Sequence, residues 1–457
     1  MILARPRRSR GAGLSRSGVL AAAAVVAVAV TATLLVSRAP RPNVLVLVMD
    51  TARADRCSFL GYERPTTPRL DELARDATVF RDAWSPSNWT GSAHASLFTG
   101  LRTEHHGFQE GTRDYLGTAP DTLAGRLAAA GYATACFSNN TIVAPEFGLV
   151  RGFEKYVPMF AQQVRPLPWA RQTHEQAADW AAAQEKAGRP FFLFINDVEP
   201  HLPYDPPEDV SARFLRGSPP AADVAAGRRY EYPRSMAYNL GVEELSEPRR
   251  GILSDLYDGE MAGLDAEIGT LLDRLRESGL LDSTLVVIVS DHGENLGEHH
   301  LFEHGLGLHR TLCRVPLLVR GPGGFRGGRV VEDVVRLEDV LPTVLEACGV
   351  GLPANIDGIS LAHDLPGRVA RAVQPLQVRW RDRVVEQFGA AGTAKLFRAC
   401  ESAYDGRFHL IRWSDGAEEL FDVRADPGET RNVAAGEPAA LARLRGLLPP
   451  PAAPPPK

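Results

Sequence analysis

The 457-residue chain is poor in cysteine: Cys57, Cys136, Cys313, Cys348 and Cys400 are scattered singly. No C-x-x-C pair occurs, which argues against a zinc ribbon or a dithiol redox motif. An odd count at wide spacing also argues against a disulfide framework and for buried thiols. No internal repeat marks a solenoid or propeller. Beyond the N-terminus, acidic residues outnumber basic ones. The formal net charge is −5, yet the first 41 residues hold seven arginines and no acid. The body is therefore acidic, which argues against nucleic acid as a main partner. "GPGGFRGG" lacks the Lys and Ser/Thr of a phosphate-cradling loop and opens no helix, so it reads as a turn.

What is present begins with a topological signal. The basic segment 1–17 reads as a cytoplasmic tail, and an uncharged apolar run follows within 18–37. That run is read as a transmembrane signal anchor, with a signal peptide as the alternative. Arginines ahead of it hold that end inside, so the body is expected outside the cytoplasm, periplasmic or extracellular.

Beyond the run, buried strands alternate with amphipathic helices. "RPNVLVLVMD" is a Val/Leu strand ending in Asp50, "PFFLFIND" ends in Asp197, and "STLVVIVSDH" ends in Asp291 and His292. The pattern predicts an α/β/α sandwich with a large, mostly parallel sheet, and such sheets bind ligands beyond the carboxyl ends of their strands. Residues 42–368 form the expected catalytic domain. Segment 205–250 lacks periodicity and reads as a surface insertion. Residues 369–447 read as a C-terminal α+β subdomain with a small antiparallel sheet, including "LQVRWRDRVVEQFG" among its short strands. A Pro-rich tail covers 448–457. Two carboxylates and an imidazole at strand ends (Asp50, Asp291, His292) suit a divalent cation: Mn²⁺, Zn²⁺, Ca²⁺ or Mg²⁺.

The ordered segments "PNVLVLVMDTARAD", "HASLFTGLRTEHHG", "LVVIVSDHGENLGEHHLFEHG", "CRVPLLVRGPGG" and "EELFDVRADPGETRNV" resemble the sulfatase family of the alkaline phosphatase superfamily. The resemblance implies an ester hydrolase, EC 3.1 in type, acting on a phosphate or sulfate ester. Sulfatases make a formylglycine from Cys or Ser in C/S-x-P/A-x-R. Here that motif aligns with Thr90 to His94, so Thr90 stands at the nucleophile position and His94 replaces the arginine. A threonine cannot be oxidised to the aldehyde, so no formylglycine is expected. Related superfamily members use a metal-bound threonine nucleophile, which a divalent cation activates. Capping of the helix that follows is the alternative role for Thr90.

The resemblance further implies Asp50, Thr90, Asp291 and His292 as the metal set, with Thr51 where a further acid is usual. Two carboxylates favour a Mn²⁺- or Zn²⁺-like ion over Ca²⁺. His201 and His304 match positions that contact the ester oxygens or the leaving group. A second cation site would draw on Asp197, His201 and His304. His106 is expected to support the nucleophile's helix. The ester could belong to a glycan or a lipid head group, and the acceptor could be water or, in a transferase, an alcohol. Two alternatives remain: a sulfuric ester hydrolase working without formylglycine, and a catalytically silent binding protein.

Overall fold

The computed structural model describes residues 41–109, 113–162 and 169–449. The basic tail and apolar run at the N-terminus lie outside the described residues, as do residues 450–457 of the Pro-rich tail. Among the described residues, no helix is long and apolar enough to cross a membrane.

Ten strands precede residue 340: β1 (Asn43–Met49), β2 (Thr78–Trp84), β3 (Ala133–Ser138), β4 (Lys155–Pro158), β5 (Phe191–Asp197), β6 (Thr284–Val289), β7 (Asn295–Leu296), β8 (Phe302–Glu303), β9 (Arg314–Arg320) and β10 (Arg329–Arg336). All but the small β7–β8 pair form one sheet in the order β10-β2-β9-β6-β1-β5-β3-β4. Only β9 runs against its neighbours, β2 and β6; the other pairs are parallel.

β1 is buried at every position, as a central strand covered on both faces must be. Its alternation splits the interior in two. Leu45, Leu47 and Met49 pack with the helices Trp169–Lys186 and Glu247–Glu277. Val44, Val46 and Val48 pack with the helices Thr90–Thr99 and Val340–Ala347. Helices on both faces complete the three-layer sandwich expected from the alternation of elements.

The smaller sheet runs β11-β12-β13-β14 and is antiparallel throughout: β11 (Ala370–Gln374), β12 (Cys400–Tyr404), β13 (Phe408–Trp413) and β14 (Glu418–Asp422). One segment differs from expectation. Residues Val378–Phe388, read as strand for their valines, form a helix. Trp380, Val384 and Phe388 fall on one helical face and join a single apolar cluster. The 205–250 insertion is folded too. Its short helices Glu208–Ser211, Ala221–Gly227 and Arg234–Asn239 bury Tyr230 and Tyr238. All five cysteines are buried.

Glu260, on the long helix, is buried and accepts the Asp205 N–H at 2.7 Å. Burial, then the neighbouring Glu199, pushes its pKa up to about 8 from 4.5. A raised carboxyl pKa gives stability that is full below the unfolded value and lost as pH rises through the folded one. Glu260→Gln keeps the acceptor oxygen and removes the titration. Its advantage over wild type is expected to grow between pH 4.5 and 8, at up to about 1.4 kcal/mol per pH unit. Urea midpoints of both proteins at pH 5 and 8 check this; parallel midpoints would count against it.

Candidate active site

Asp50 directly follows β1, and Asp291 and His292 follow β6, its parallel neighbour, so the three arrive at one edge of the sheet. Their ligand atoms lie within 4.8 Å of one another, all buried. The backbone enforces this. Thr51 sits at φ 59°, a strained left-handed position for a β-branched residue, and its N–H donates to Asp291 Oδ1 at 3.2 Å. The Asp50 N–H donates to the Asp197 carbonyl at 3.0 Å.

The site fits a divalent cation. Asp50 Oδ1 and Asp291 Oδ2 are buried without a hydrogen-bond partner among the described residues, a costly state unless something positive sits between them. Burial, then Asp291, holds the Asp50 carboxyl well above the usual carboxylate range. His292 donates Nδ1–H to the Gly293 carbonyl at 3.0 Å, which fixes the tautomer and leaves the Nε2 lone pair free. Burial lowers the His292 pKa to about 4, so the ring is neutral. Nε2 lies 3.5 Å from Asp291 Oδ2 and 3.4 Å from Thr90 Oγ1.

Thr90 is the first residue of the helix Thr90–Thr99, whose N-cap is Trp89. Thr90 is not the N-cap residue, Trp89 makes no capping bond, and the Thr90 hydroxyl faces the cluster. Ser96, on the same helix, meets His106 Nε2 at 3.0 Å, the support anticipated from that histidine.

His94 is placed differently from the arginine it replaces. It is fully buried, donates from Nδ1 to the Thr90 carbonyl at 2.9 Å, and packs against Phe98 and Phe194. It is not among the residues lining the cavity over Thr90. It lies behind Thr90, away from the cavity.

The second cation site is not assembled. Asp197 Oδ2 pairs with His174 Nε2 at 2.8 Å, and His174 in turn reaches the Glu267 carbonyl at 3.1 Å. Among the described residues, Asp50, Asp291 and His292 are the one group whose ligand atoms converge. His174, ahead of Asp197 on another helix, was the competitor that a single stretch of sequence could not reveal.

His201 and His304 do meet. Their ring centroids are 5.0 Å apart, and His304 lies 4.5 Å from His292. Both line a cavity of about 740 Å³ that opens over Thr90, walled by Trp89, Phe147, Trp169 and Trp380. Gly305 follows His304 at φ 80°, and a Cβ there would come within 2.4 Å of the Trp89 ring. Gly305→Ala is expected to cost about 1–3 kcal/mol through overpacking and to lower kcat at least about ten-fold, since a misplaced catalytic group is costly. Thermal melts with initial rates check both; wild-type values would mean the Trp89 wall yields.

Sequence reasoning missed two residues. Asn140 donates to Asp50 Oδ2 at 2.5 Å, and its signal was the "SNN" just past a buried strand. Glu294 contacts His304 Nδ1 through Oε1 at 2.9 Å; it closes the quoted "SDHGE".

Comparison with known proteins follows the same lines. Residues 42–350 match the sulfatase family, and residues 297–443 match the C-terminal region of N-sulphoglucosamine sulphohydrolase. The multifunctional alkaline phosphatase superfamily protein PehA of Trinickia caryophylli is 29% identical, over 89% of this chain and 93% of that one. An arylsulfatase of Clostridium perfringens is 23% identical, over 86% of this chain and 90% of its own. The phosphonate monoester hydrolase of Agrobacterium radiobacter superposes with a TM-score of 0.71 at 23% identity, covering 89% of this chain and 94% of that one. The same fold recurs there. From its strand-end cluster of two carboxylates and an imidazole to its match over residues 42–350, this chain belongs to the sulfatase family of ester hydrolases.

Proposed function

We propose that the protein hydrolyses phosphate esters with Thr90 as nucleophile and with Asp50, Asp291, His292 and the Thr90 oxygen holding a Mn²⁺- or Zn²⁺-like cation. The observation that carries this reading is the Thr90 hydroxyl at the cavity floor, 3.4 Å from His292 Nε2 of the buried cluster. A divalent cation there supplies Lewis-acid stabilisation of negative charge, so that the hydroxyl loses its proton near neutral pH.

Thr90 Oγ1 attacks phosphorus opposite the leaving oxygen, forming the Oγ1–P bond as the bond to the leaving group breaks. The departing oxygen takes a proton from the His201 ring on the cavity wall; burial, then the His201 charge, lowers the His304 pKa to about 3, so that ring holds only the proton it gives to Glu294. Water then attacks the phosphothreonine, returns a proton to the His201 ring, and frees phosphate and Thr90. An alcohol in place of water would give the transferase outcome. Sulfate fits less well, because a sulfothreonine lacks the elimination route that an aldehyde hydrate offers.

The test is to acid-quench the Mn²⁺- or Zn²⁺-loaded protein during turnover of a radiolabelled aryl phosphate and map the labelled peptide. Label on Thr90 supports the reading; label elsewhere, or sulfate turnover that survives Thr90→Ala, overturns it. No turnover and no label, with unaltered glycan binding in Thr90→Ala, would favour the silent binding protein. The arginine-flanked apolar run 18–37 further supports an exported, membrane-anchored catalytic domain, testable by protease accessibility in intact cells.

A further inference from the structure

We infer that Glu294 is a positioning residue that holds both cavity histidines, and through them the proton delivered to the leaving group. The inference rests on the ester-hydrolase reading above and adds a residue to it. Glu294 Oε1 lies 2.9 Å from His304 Nδ1, and Oε2 accepts the Leu202 N–H at 3.2 Å. Leu202 adjoins His201, whose Nδ1 donates to the Leu202 carbonyl at 2.6 Å. One carboxylate therefore fixes one ring directly and the turn that clamps the other.

The carboxylate is itself held hard. Its side chain has no exposure, and the Glu294 carbonyl accepts Arg53 Nη1 at 3.0 Å. Just before it, the Gly293 N–H donates to the Leu312 carbonyl at 2.7 Å, and a Cβ on Gly293 would sit 1.9 Å from the Thr311 carbonyl oxygen. The backbone at Glu294 has no room to shift. With Nδ1 of each ring occupied, Nε2 is the nitrogen left to each for the cavity. Leaving-group departure breaks the bond from phosphorus to the ester oxygen, and that oxygen takes its proton from Nε2 of the His201 imidazolium, leaving a neutral ring still bonded to the Leu202 carbonyl through Nδ1. A positioned imidazole of this kind contributes about 10²–10⁴-fold when the leaving group is poor.

The experiment compares wild type, Glu294→Ala and Glu294→Gln, loaded with Mn²⁺, on phosphate esters of nitrophenol, phenol and a simple alcohol. Glu294→Ala is expected to lose about ten-fold in kcat on the nitrophenyl ester and at least about a hundred-fold more on the alkyl ester. KM and bound Mn²⁺ stay unchanged. Glu294→Gln, which keeps one acceptor oxygen, recovers part of kcat. Equal losses on all three esters, loss of Mn²⁺ in step with activity, or no loss overturns the inference. A wild-type protein inert to every ester overturns the underlying reading as well, whereas uniform losses from an active wild type overturn this inference alone.

Discussion

Thr90→Ala lowers kcat on phosphate esters by at least about ten-thousand-fold, the scale seen when a covalent nucleophile is removed. The variant still folds and still binds its cation. Folding is expected to survive because Thr90 lies inside the helix at its first position, not at the N-cap. Cation binding survives because both carboxylates and the His292 lone pair remain. Thr90→Ser, which keeps an alcohol at the same place, retains measurable turnover. Rates on an aryl phosphate, with metal content measured on the same samples, decide the matter. A small loss in Thr90→Ala would mean that water attacks the ester directly and that Thr90 only shapes the floor of the cavity.

Asp291→Asn gives the second large effect, and its sign depends on metal. Asp291 Oδ1 accepts N–H groups from Thr51 at 3.2 Å and His292 at 2.9 Å, and asparagine keeps that acceptor. Oδ2, which has no hydrogen-bond partner, becomes an NH₂ group that cannot bind a cation. Cation affinity is expected to fall at least about a hundred-fold, more than the 10–100-fold typical of residues behind the ligands, and turnover falls with it. Without metal the order inverts. Burial followed by Asp291 raises the Asp50 pKa, so removing one charge relieves a buried repulsion. In chelator the variant should therefore unfold at higher urea than wild type; with saturating Mn²⁺ wild type gains the ligand-linked stability and overtakes it. Urea midpoints under the two conditions check the inversion. A variant less stable in both would mean that Asp291 serves the fold more than the ion.

The legible part of the molecule was whatever local pattern could encode. Uninterrupted valines ending in an acid announced β1 and β6, and with them Asp50, Asp291 and His292 at one sheet edge. Thr90 was legible only through the order of surrounding motifs, since a threonine before a helix looks the same whether it caps or reacts. Partner choice was not legible. Asp197 faced two histidines in the text, and the one that captured it, His174, sits on a helix whose packing no periodicity reports. The helix Val378–Phe388 misled because its valines favour strands in isolation, while Trp380, Val384 and Phe388 bury as a helical face. His94 stands where the family motif has arginine, and its ring turns inward to the Thr90 carbonyl.

Gly305 ties two properties that evolution would gain by separating. A Cβ on the residue after His304 would meet the Trp89 ring at 2.4 Å and the Trp380 ring at 3.1 Å. A mutation that reshapes this wall for a bulkier or slimmer ester must pass its displacement to the loop carrying His304. New substrate preferences in this lineage should therefore arise first at Phe147 or Trp169, which line the cavity without touching Gly305.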